Sequence, residues 1–235
     1  MEKSNYIIKI EKITKEYQNK KCLGPLNLNV KKGDKIAIIG ANGSGKSTLC
    51  EIIANLRVPT TGNIKYAFPQ ENLSRMLSIS FQEQNYPTTL IVRDLTDFYH
   101  NIYKLSKTQH ELWKNFRISL LLPKKVSKLS GGEKQRLNLY LCLFHQPQIF
   151  IGDEITTGLD VKTKIEVINF LKKQISEKEM TLILVTHDWD EIAHLCSRVI
   201  LINRGLLIDD TTPTQIKKQY RGSLFDYYQD KLPKK

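Results

Sequence analysis

In Ile36-Ala37-Ile38-Ile39-Gly40-Ala41-Asn42-Gly43-Ser44-Gly45-Lys46-Ser47, four apolar residues lead directly into a glycine-rich loop. The apolar run is typical of a strand that is buried on both faces of a parallel sheet. The eight residues that follow fit the pattern G-x-x-x-x-G-K-[ST], in which glycines let backbone N–H groups point toward a phosphate at the start of a helix. We therefore predict a strand, a phosphate-binding loop and a helix that begins at Lys46.

Two further apolar runs, 149–151 and 182–185, are also typical of buried strands. Helical patterns separate these strands. One helix should begin near Gly131, and another should run from about 161 to 176 with Ile165, Ile168 and Leu171 on its inner face. Buried strands that alternate with helices indicate an α/β fold with a mostly parallel sheet.

The segments outside this alternation predict two additions to the core. Residues 6–13 and 22–30 are short and β-like, which indicates a small antiparallel sheet at the N-terminal end. Within 83–130, apolar residues recur at helical spacing, as at Ile91, Leu95, Phe98 and Ile102, which predicts an inserted helical subdomain. We interpret 1–220 as one domain, and the polar 221–235 as a loosely held C-terminal tail.

Net charge, cysteine spacing and the length of the apolar runs limit the kinds of protein that this chain could be. The net charge of +12 fits three origins, namely affinity for nucleic acid, affinity for anionic lipid, or a generally basic surface. The lysine pairs are dispersed and form no basic helix with interleaved aromatic residues, so a specific nucleic-acid face is not indicated. The four cysteines lack Cys-x-x-Cys spacing, which predicts reduced thiols. The apolar runs are too short to cross a bilayer. Because the start at Met1-Glu2-Lys3-Ser4 shows no apolar stretch typical of a signal peptide, we expect a cytoplasmic location.

A pair of carboxylates follows the apolar run 149–151. Asp153 and Glu154 should emerge at the carboxyl edge of the sheet, beside the phosphate loop. There Asp153 and the Ser47 hydroxyl could hold Mg²⁺, and Glu154 could act as the general base for an attacking water. Lys46 would reach the β- and γ-phosphates of a nucleotide, and Thr48 would reach the α-phosphate.

A third motif, Leu129-Ser130-Gly131-Gly132-Glu133, lies between the phosphate loop and the carboxylates. It opens a second predicted helix, whose N-terminus offers amides and a serine hydroxyl to a phosphate. The three motifs in this order resemble the ATP-binding cassette (ABC) family, the motor subunits of membrane transporters. The resemblance runs from about Tyr6 to about Tyr220 and implies the P-loop NTPase core of that family, with Mg²⁺ as cofactor and ATP as substrate.

The resemblance implies roles for further positions. Gln82 matches the Q-loop glutamine, which contacts Mg²⁺ or its water, and His187 matches the switch histidine that contacts the γ-phosphate; with Glu154 they would form the catalytic set. Asp160 matches the D-loop residue at the dimer interface. Tyr17 matches the aromatic residue that stacks on adenine. The five residues 129–133 match the signature motif, which covers ATP bound to a partner subunit.

Two positions depart from the family pattern. Gly152 stands where the family usually has a larger apolar residue, and Ile155 stands where proline is commoner. We expect Gly152 to remove a core side chain and to loosen the end of the strand. Because neither change touches an acidic side chain, we still expect catalysis.

The resemblance implies an ATP-hydrolysing subunit that pairs with a second cassette, identical or related, and with a separate membrane-spanning permease at the inner face of the cell membrane. Segments 90–99 and 154–160 are more similar to exporter subunits than to nutrient importers. An importer subunit remains an alternative. So does a soluble cassette ATPase that acts on nucleic acid or ribosomes, although such proteins generally carry two cassettes or a long coiled coil. Intact Glu154 and His187 count against a cassette that binds ATP without hydrolysing it.

Overall fold

The computed structural model describes residues 6–18, 20–81, 86–87, 89–105 and 110–232. The strands are β1 (Tyr6–Tyr17), β2 (Lys20–Lys31), β3 (Lys35–Ile39), β4 (Thr61–Tyr66), β5 (Leu77–Ser80), β6 (Ile149–Asp153), β7 (Thr181–Val185), β8 (Arg198–Asn203) and β9 (Leu206–Thr211). The α-helices are α1 (Lys46–Ile53), α2 (Leu73–Met76), α3 (Val92–Tyr103), α4 (His110–Asn115), α5 (Gly131–Leu143), α6 (Val161–Lys178), α7 (Trp189–Leu195), α8 (Pro213–Tyr220) and α9 (Leu224–Lys231). None of these described helices is both long enough and apolar enough to cross a bilayer.

The main sheet has six strands in the order β5-β6-β7-β3-β8-β9. All neighbours pair in parallel except β8 and β9, which are antiparallel. Every residue of β6 and β7 is buried, as the unbroken apolar runs predicted. The predicted α/β fold with a mostly parallel sheet is therefore confirmed. Because β7 lies between β6 and β3, the carboxyl ends of these three strands meet at one edge of the sheet.

The N-terminal antiparallel sheet is also confirmed. Its strand order is β2-β1-β4, with β1 paired to both neighbours. Apolar side chains of β1 and β2 share a core with α1 and with one face of the main sheet, through residues such as Ile10, Leu26, Leu49 and Ile183. This packing fixes α1, and with it the phosphate loop, between the two sheets.

The described residues of the inserted segment include the helices α3 and α4, but the buried face of α3 differs from the prediction. On α3, Phe98 and Ile102 are 59% and 54% exposed. Leu95 is buried, but the rest of the buried stripe of α3 consists of Val92, Thr96 and His100, which recur at helical spacing on a neighbouring part of the helix surface. On α6, Ile168 and Leu171 are buried as predicted, whereas Ile165 is 53% exposed because the buried stripe begins at Val167.

The prediction of a loosely held tail after Tyr220 is wrong for α9. Tyr227 is 1% exposed and belongs to a core that includes Ile39 and Leu201 of the main sheet. The Tyr227 hydroxyl donates to Asp209 of β9 at 3.0 Å, and Lys231 Nζ lies 3.2 Å from the same carboxylate. Aromatic side chains within a polar sequence therefore attach this helix to the sheet.

Candidate nucleotide-binding site

The phosphate loop joins β3 to α1, and α1 begins at Lys46 as predicted. Gly40 has a φ of 156°, and a Cβ atom there would lie 2.2 Å from the carbonyl oxygen of Ile202. Gly45 caps α1 with a φ of 104°, and a Cβ atom there would lie 2.9 Å from the carbonyl oxygen of Cys22. Side chains at these positions would displace backbone, so glycine is required for the loop to keep its curvature.

Lys46 lies in the curve of this loop. Its Nζ donates to the carbonyl oxygens of Gly40 at 2.8 Å and of Ala41 at 2.9 Å. Burial lowers the pKa of Lys46, while the carboxylates of Asp153 and Glu154 act in the opposite direction. A positive charge is thus held where the phosphates of a nucleotide would enter. Nearby, the buried Ser44 Oγ has no hydrogen-bond partner within the described residues, as expected of a group that awaits a ligand.

Ser47 and Asp153 meet across the edge of the sheet. The Ser47 hydroxyl donates to the Asp153 carboxylate at 3.0 Å, although 106 residues separate them. Asp153 is 8% exposed, and burial raises its pKa. The described residues contain no group of three or more His, Cys, Asp or Glu side chains suited to a metal. This donor set fits Mg²⁺, which binds through one or two protein oxygens together with substrate phosphates and water.

Glu154 follows β6 at the same edge, next to His187. Its backbone has a φ of 51°, and its N–H donates to the carbonyl oxygen of Val185, the last residue of β7, at 2.9 Å. Glu154 Oε1 lies 3.4 Å from His187 Nδ1. The His187 side chain is 75% exposed and has room to turn toward a ligand. The structure therefore brings the predicted base and the predicted switch histidine together.

Gly152 does not loosen the end of β6, contrary to the expectation. A Cβ atom on Gly152 would lie 2.4 Å from Ile155 Cγ2 and 2.9 Å from Leu184 Cδ2. The Ile155 side chain, which is 0% exposed, thus fills the space that a larger residue at 152 would need. The two departures from the family pattern compensate for each other, and the backbone that carries Asp153 stays packed.

Two polar contacts behind the site were not predicted from the sequence. The Thr156 hydroxyl donates to the buried carboxyl of Glu191, which ties the loop after Glu154 to α7. Burial raises the pKa of Glu191. Lys164 of α6 forms an ion pair with Asp188, the residue after His187. These residues match no motif, so the sequence alone did not indicate that they connect the loops behind the site.

The signature residues form a helix cap at the surface. The Ser130 hydroxyl accepts the Glu133 N–H at 3.3 Å, and the Glu133 carboxylate accepts the Ser130 N–H at 3.0 Å. This capping box opens α5. A Cβ atom on Gly131 would meet no atom within 4 Å, so the helix start is open to an approaching molecule. Leu129 is 6% exposed and anchors the motif from below.

Asp160 and Gln82 are the two remaining loop residues that were predicted to belong to the site, and the structure describes only Asp160. Asp160 is exposed and caps α6, since its carboxylate accepts the Thr163 N–H at 3.1 Å and the Thr163 hydroxyl at 2.6 Å. These hydrogen bonds lower the pKa of Asp160. Gln82 lies outside the described residues.

Tyr17 borders a cavity of about 610 Å³ that reaches the phosphate loop at Gly43. The ring is 39% exposed, and Lys15 Nζ and Arg57 Cζ each lie 5.3 Å from its centroid. An aromatic ring at the rim of such a cavity can stack on a base. Arg204 lines the same cavity and was not predicted, because it belongs to the turn between β8 and β9.

A second cavity, of about 270 Å³, lies on the other side of the loop. Lys46, Glu154 and His187 line it, together with Gly40 to Asn42 of the loop. Tyr228 and Leu232, from α9 and the residue after it, complete the wall. The sequence placed these last two residues in the tail, so their position at the site was missed.

The chain belongs to the ABC transporter family, because residues 23–157, more than half of its length, match the family of that description. It is a cassette ATPase of that family. The dimeric structure of the ATP-binding cassette MJ0796, in a post-hydrolysis state bound to ADP and Pi, has a TM-score of 0.77 at 26% identity and covers 87% of this chain and 98% of that one. A structure of an ATP-binding subunit of an ABC transporter is similar in fold, with a TM-score of 0.83 at 23% identity over 95% of this chain and 98% of that one.

Named relatives are similar over most of this chain. The lipoprotein-releasing system ATP-binding protein LolD of Rickettsia bellii is 33% identical over 218 residues, which cover 87% of this chain and 98% of that protein. The methionine import ATP-binding protein MetN 1 of Bacillus cereus is 32% identical over 228 residues, with 89% and 66% covered. An ABC transporter ATP-binding protein of Onion yellows phytoplasma is 29% identical over 229 residues, and this chain spans 38% of its length.

Proposed function

We propose that this chain is the ATP-hydrolysing motor subunit of a membrane transporter. The arrangement at one edge of the sheet carries this proposal, because Ser47 donates to Asp153 at 3.0 Å while Glu154 lies beside His187 at 3.4 Å. A phosphate loop, a cation site and a water-activating carboxylate are the parts that phosphoryl transfer to water requires.

Each residue then has a distinct task. Lys46 would exchange its present carbonyl partners for the β- and γ-phosphates, and the N–H groups at the start of α1, with the Thr48 hydroxyl, would hold the remaining phosphate oxygens. Ser47 and Asp153 would hold Mg²⁺, with Gln82 as a further ligand. When bound, the ion neutralises charge on the phosphates. Glu154 would accept a proton from the attacking water, and His187 would contact the γ-phosphate.

We infer that two cassettes close around ATP. The exposed N-terminus of α5, with Ser130 and Gly131, offers amides and a hydroxyl to the γ-phosphate of ATP on the facing subunit. Asp160, exposed at the start of α6, would lie at the same interface. The cassette MJ0796, which is similar in fold, is dimeric, and this supports the pairing of two cassettes. The second cassette is either a second copy of this chain or a related subunit.

We infer that the permease docks in a groove beside the helical subdomain. A cavity of about 650 Å³ lies between α3 and α5 on one side and the residues after α1 on the other. Tyr86, Tyr99 and Tyr103 line it, together with Leu56. Aromatic side chains with polar tips suit an amphipathic helix that inserts its apolar face. The net charge of +12 would favour attachment at an anionic cytoplasmic membrane surface.

Export is the direction that we propose for the transporter. It rests on the similarity of segments 90–99 and 154–160 to exporter subunits. The named relatives do not separate the two directions, since they include import proteins as well as the lipoprotein-releasing system protein LolD. The alternative of a soluble cassette ATPase that acts on nucleic acid or ribosomes predicts no permease in the groove.

Copurification from membranes separates these alternatives. Tagged full-length chain is purified from detergent-solubilised membranes as wild type, as Tyr103→Arg in the groove, and as Phe225→Arg on the exposed side of α9. We expect a multi-span membrane protein with wild type and with Phe225→Arg, and its loss with Tyr103→Arg. No integral membrane partner for the wild type would contradict the transporter role. Unchanged copurification of Tyr103→Arg would contradict the groove.

A further inference from the structure

The C-terminal helix contributes to the cavity at the terminal-phosphate end of the site. Of the residues that line this cavity of about 270 Å³, the loop residues, Lys46, Glu154 and His187 have tasks in the proposed mechanism. Val185 and Thr186, at the end of β7 and just after it, have none, and neither do Tyr228 and Leu232. Because their neighbours are the side chains expected around a γ-phosphate, any group on Tyr228 that faces the cavity would meet that phosphate.

Tyr228 has a free proton to offer there. Burial raises the pKa of Tyr228 to about 12, so the phenol keeps its proton at neutral pH. The Gly40 N–H, at the start of the phosphate loop, acts on this hydroxyl group so as to lower its pKa. A phenol that accepts one hydrogen bond can still donate one. Hydrogen bonds to charged acceptors such as phosphate oxygens are stronger than those between neutral groups.

The helix that carries Tyr228 is held in place on its other face. The neighbouring Tyr227 hydroxyl donates to Asp209 of β9 at 3.0 Å. Lys231 Nζ lies 3.2 Å from that carboxylate, and Ser223 caps the helix by accepting the Asp226 N–H at 3.2 Å. Tyr228 is therefore presented by a packed element, which reduces the conformational entropy lost on binding.

We propose that Tyr228 is a further nucleotide-binding residue, whose hydroxyl donates to the terminal phosphate of ATP beside the first amide of the phosphate loop. Leu232 shields this contact from water. The inference rests on the proposed function, in which this cavity receives the γ-phosphate. Its consequence is a preference for the triphosphate, because ADP lacks the group that Tyr228 contacts.

The test compares two adjacent tyrosines. Tyr228→Phe removes the hydroxyl at the cavity, and Tyr227→Phe removes the hydroxyl that faces Asp209. The affinity of each full-length protein is measured for fluorescent analogues of ADP and of a non-hydrolysable ATP. We expect Tyr228→Phe to weaken binding of the ATP analogue about tenfold and to leave ADP binding unchanged. Tyr227→Phe should bind both like the wild type.

The possible failures of the inference and of the proposed function are distinguishable. Wild-type affinity of Tyr228→Phe for both analogues, or an equal loss for both, would overturn the inference. Lys46→Ala, measured alongside, should lose affinity for both nucleotides. If Lys46→Ala binds both like the wild type, the proposed nucleotide site itself is wrong, whatever Tyr228→Phe does.

Discussion

Adding a methyl group at Gly152 should destabilise the chain, and shortening Ile155 should relieve part of that damage. In Gly152→Ala the new Cβ would lie 2.4 Å from Ile155 Cγ2, an overlap that typically costs about 1–3 kcal/mol. Ile155 is fully buried, so Ile155→Ala should cost about 2–5 kcal/mol through lost contacts and a cavity. In the double variant the new methyl group occupies part of that cavity. We therefore expect it to be more stable than the sum of the single losses predicts, by about 0.5–3 kcal/mol.

Urea denaturation of the four proteins measures this coupling. The control pairs Gly152→Ala with Ile216→Ala, since Ile216 is 1% exposed but lies in a separate core cluster. The control losses should add to within about 0.5 kcal/mol. If the losses of Gly152→Ala and Ile155→Ala also add, the two residues do not compensate for each other. The packing argument for the end of β6 would then be refuted.

Three further predictions concern adenine binding by Tyr17, dimerisation through the signature motif, and the pH dependence of stability. Tyr17→Ala should weaken ATP binding about tenfold by loss of stacking, and Tyr17→Trp should restore most of the affinity. Titration with a fluorescent ATP analogue measures both variants, and unchanged binding by Tyr17→Ala would place adenine elsewhere. In a Glu154→Gln background, Ser130→Arg should abolish the ATP-driven dimer that size-exclusion chromatography detects. The control Thr212→Arg, which disrupts the similar capping box of α8, should keep the dimer. A dimer of the Ser130→Arg protein would argue against phosphate capture by the partner subunit. Burial lowers the pKa of His145 from 6.5 to about 4, so the unfolded chain binds the proton first. The free energy of unfolding should fall as pH drops from 6.5 to 4, and denaturation of His145→Phe should show a smaller fall.

The sequence predicts the parts of the fold that local pattern specifies. The apolar runs identify β3, β6 and β7, and the glycine spacing identifies the start of α1 at Lys46. The meeting of Ser47 with Asp153 then follows, because parallel strands place their carboxyl ends at one edge. Ser47 lies at the start of a helix and Asp153 at the end of a strand, and the sequence pattern predicts both of these positions.

The features that could not be predicted depend on packing between distant segments. Phe98 has the helical spacing of a core residue, yet the buried stripe of α3 runs through Val92 and His100 and leaves Phe98 exposed. Gly152 was expected to loosen the end of β6, because the sequence does not show that the Ile155 side chain occupies the volume beside it. Tyr228 carries no motif, and the packing of α9 against the main sheet is what brings it to the nucleotide cavity.

Steady-state ATP hydrolysis by Glu154→Gln tests the central claim most directly. The carboxylate that would accept the proton lies 3.4 Å from His187, and the amide of glutamine cannot perform that task. We predict that Glu154→Gln binds ATP like the wild type while its turnover falls by about 10²–10⁴-fold. Hydrolysis by Glu154→Gln at the wild-type rate, with ATP binding unchanged, would contradict the account.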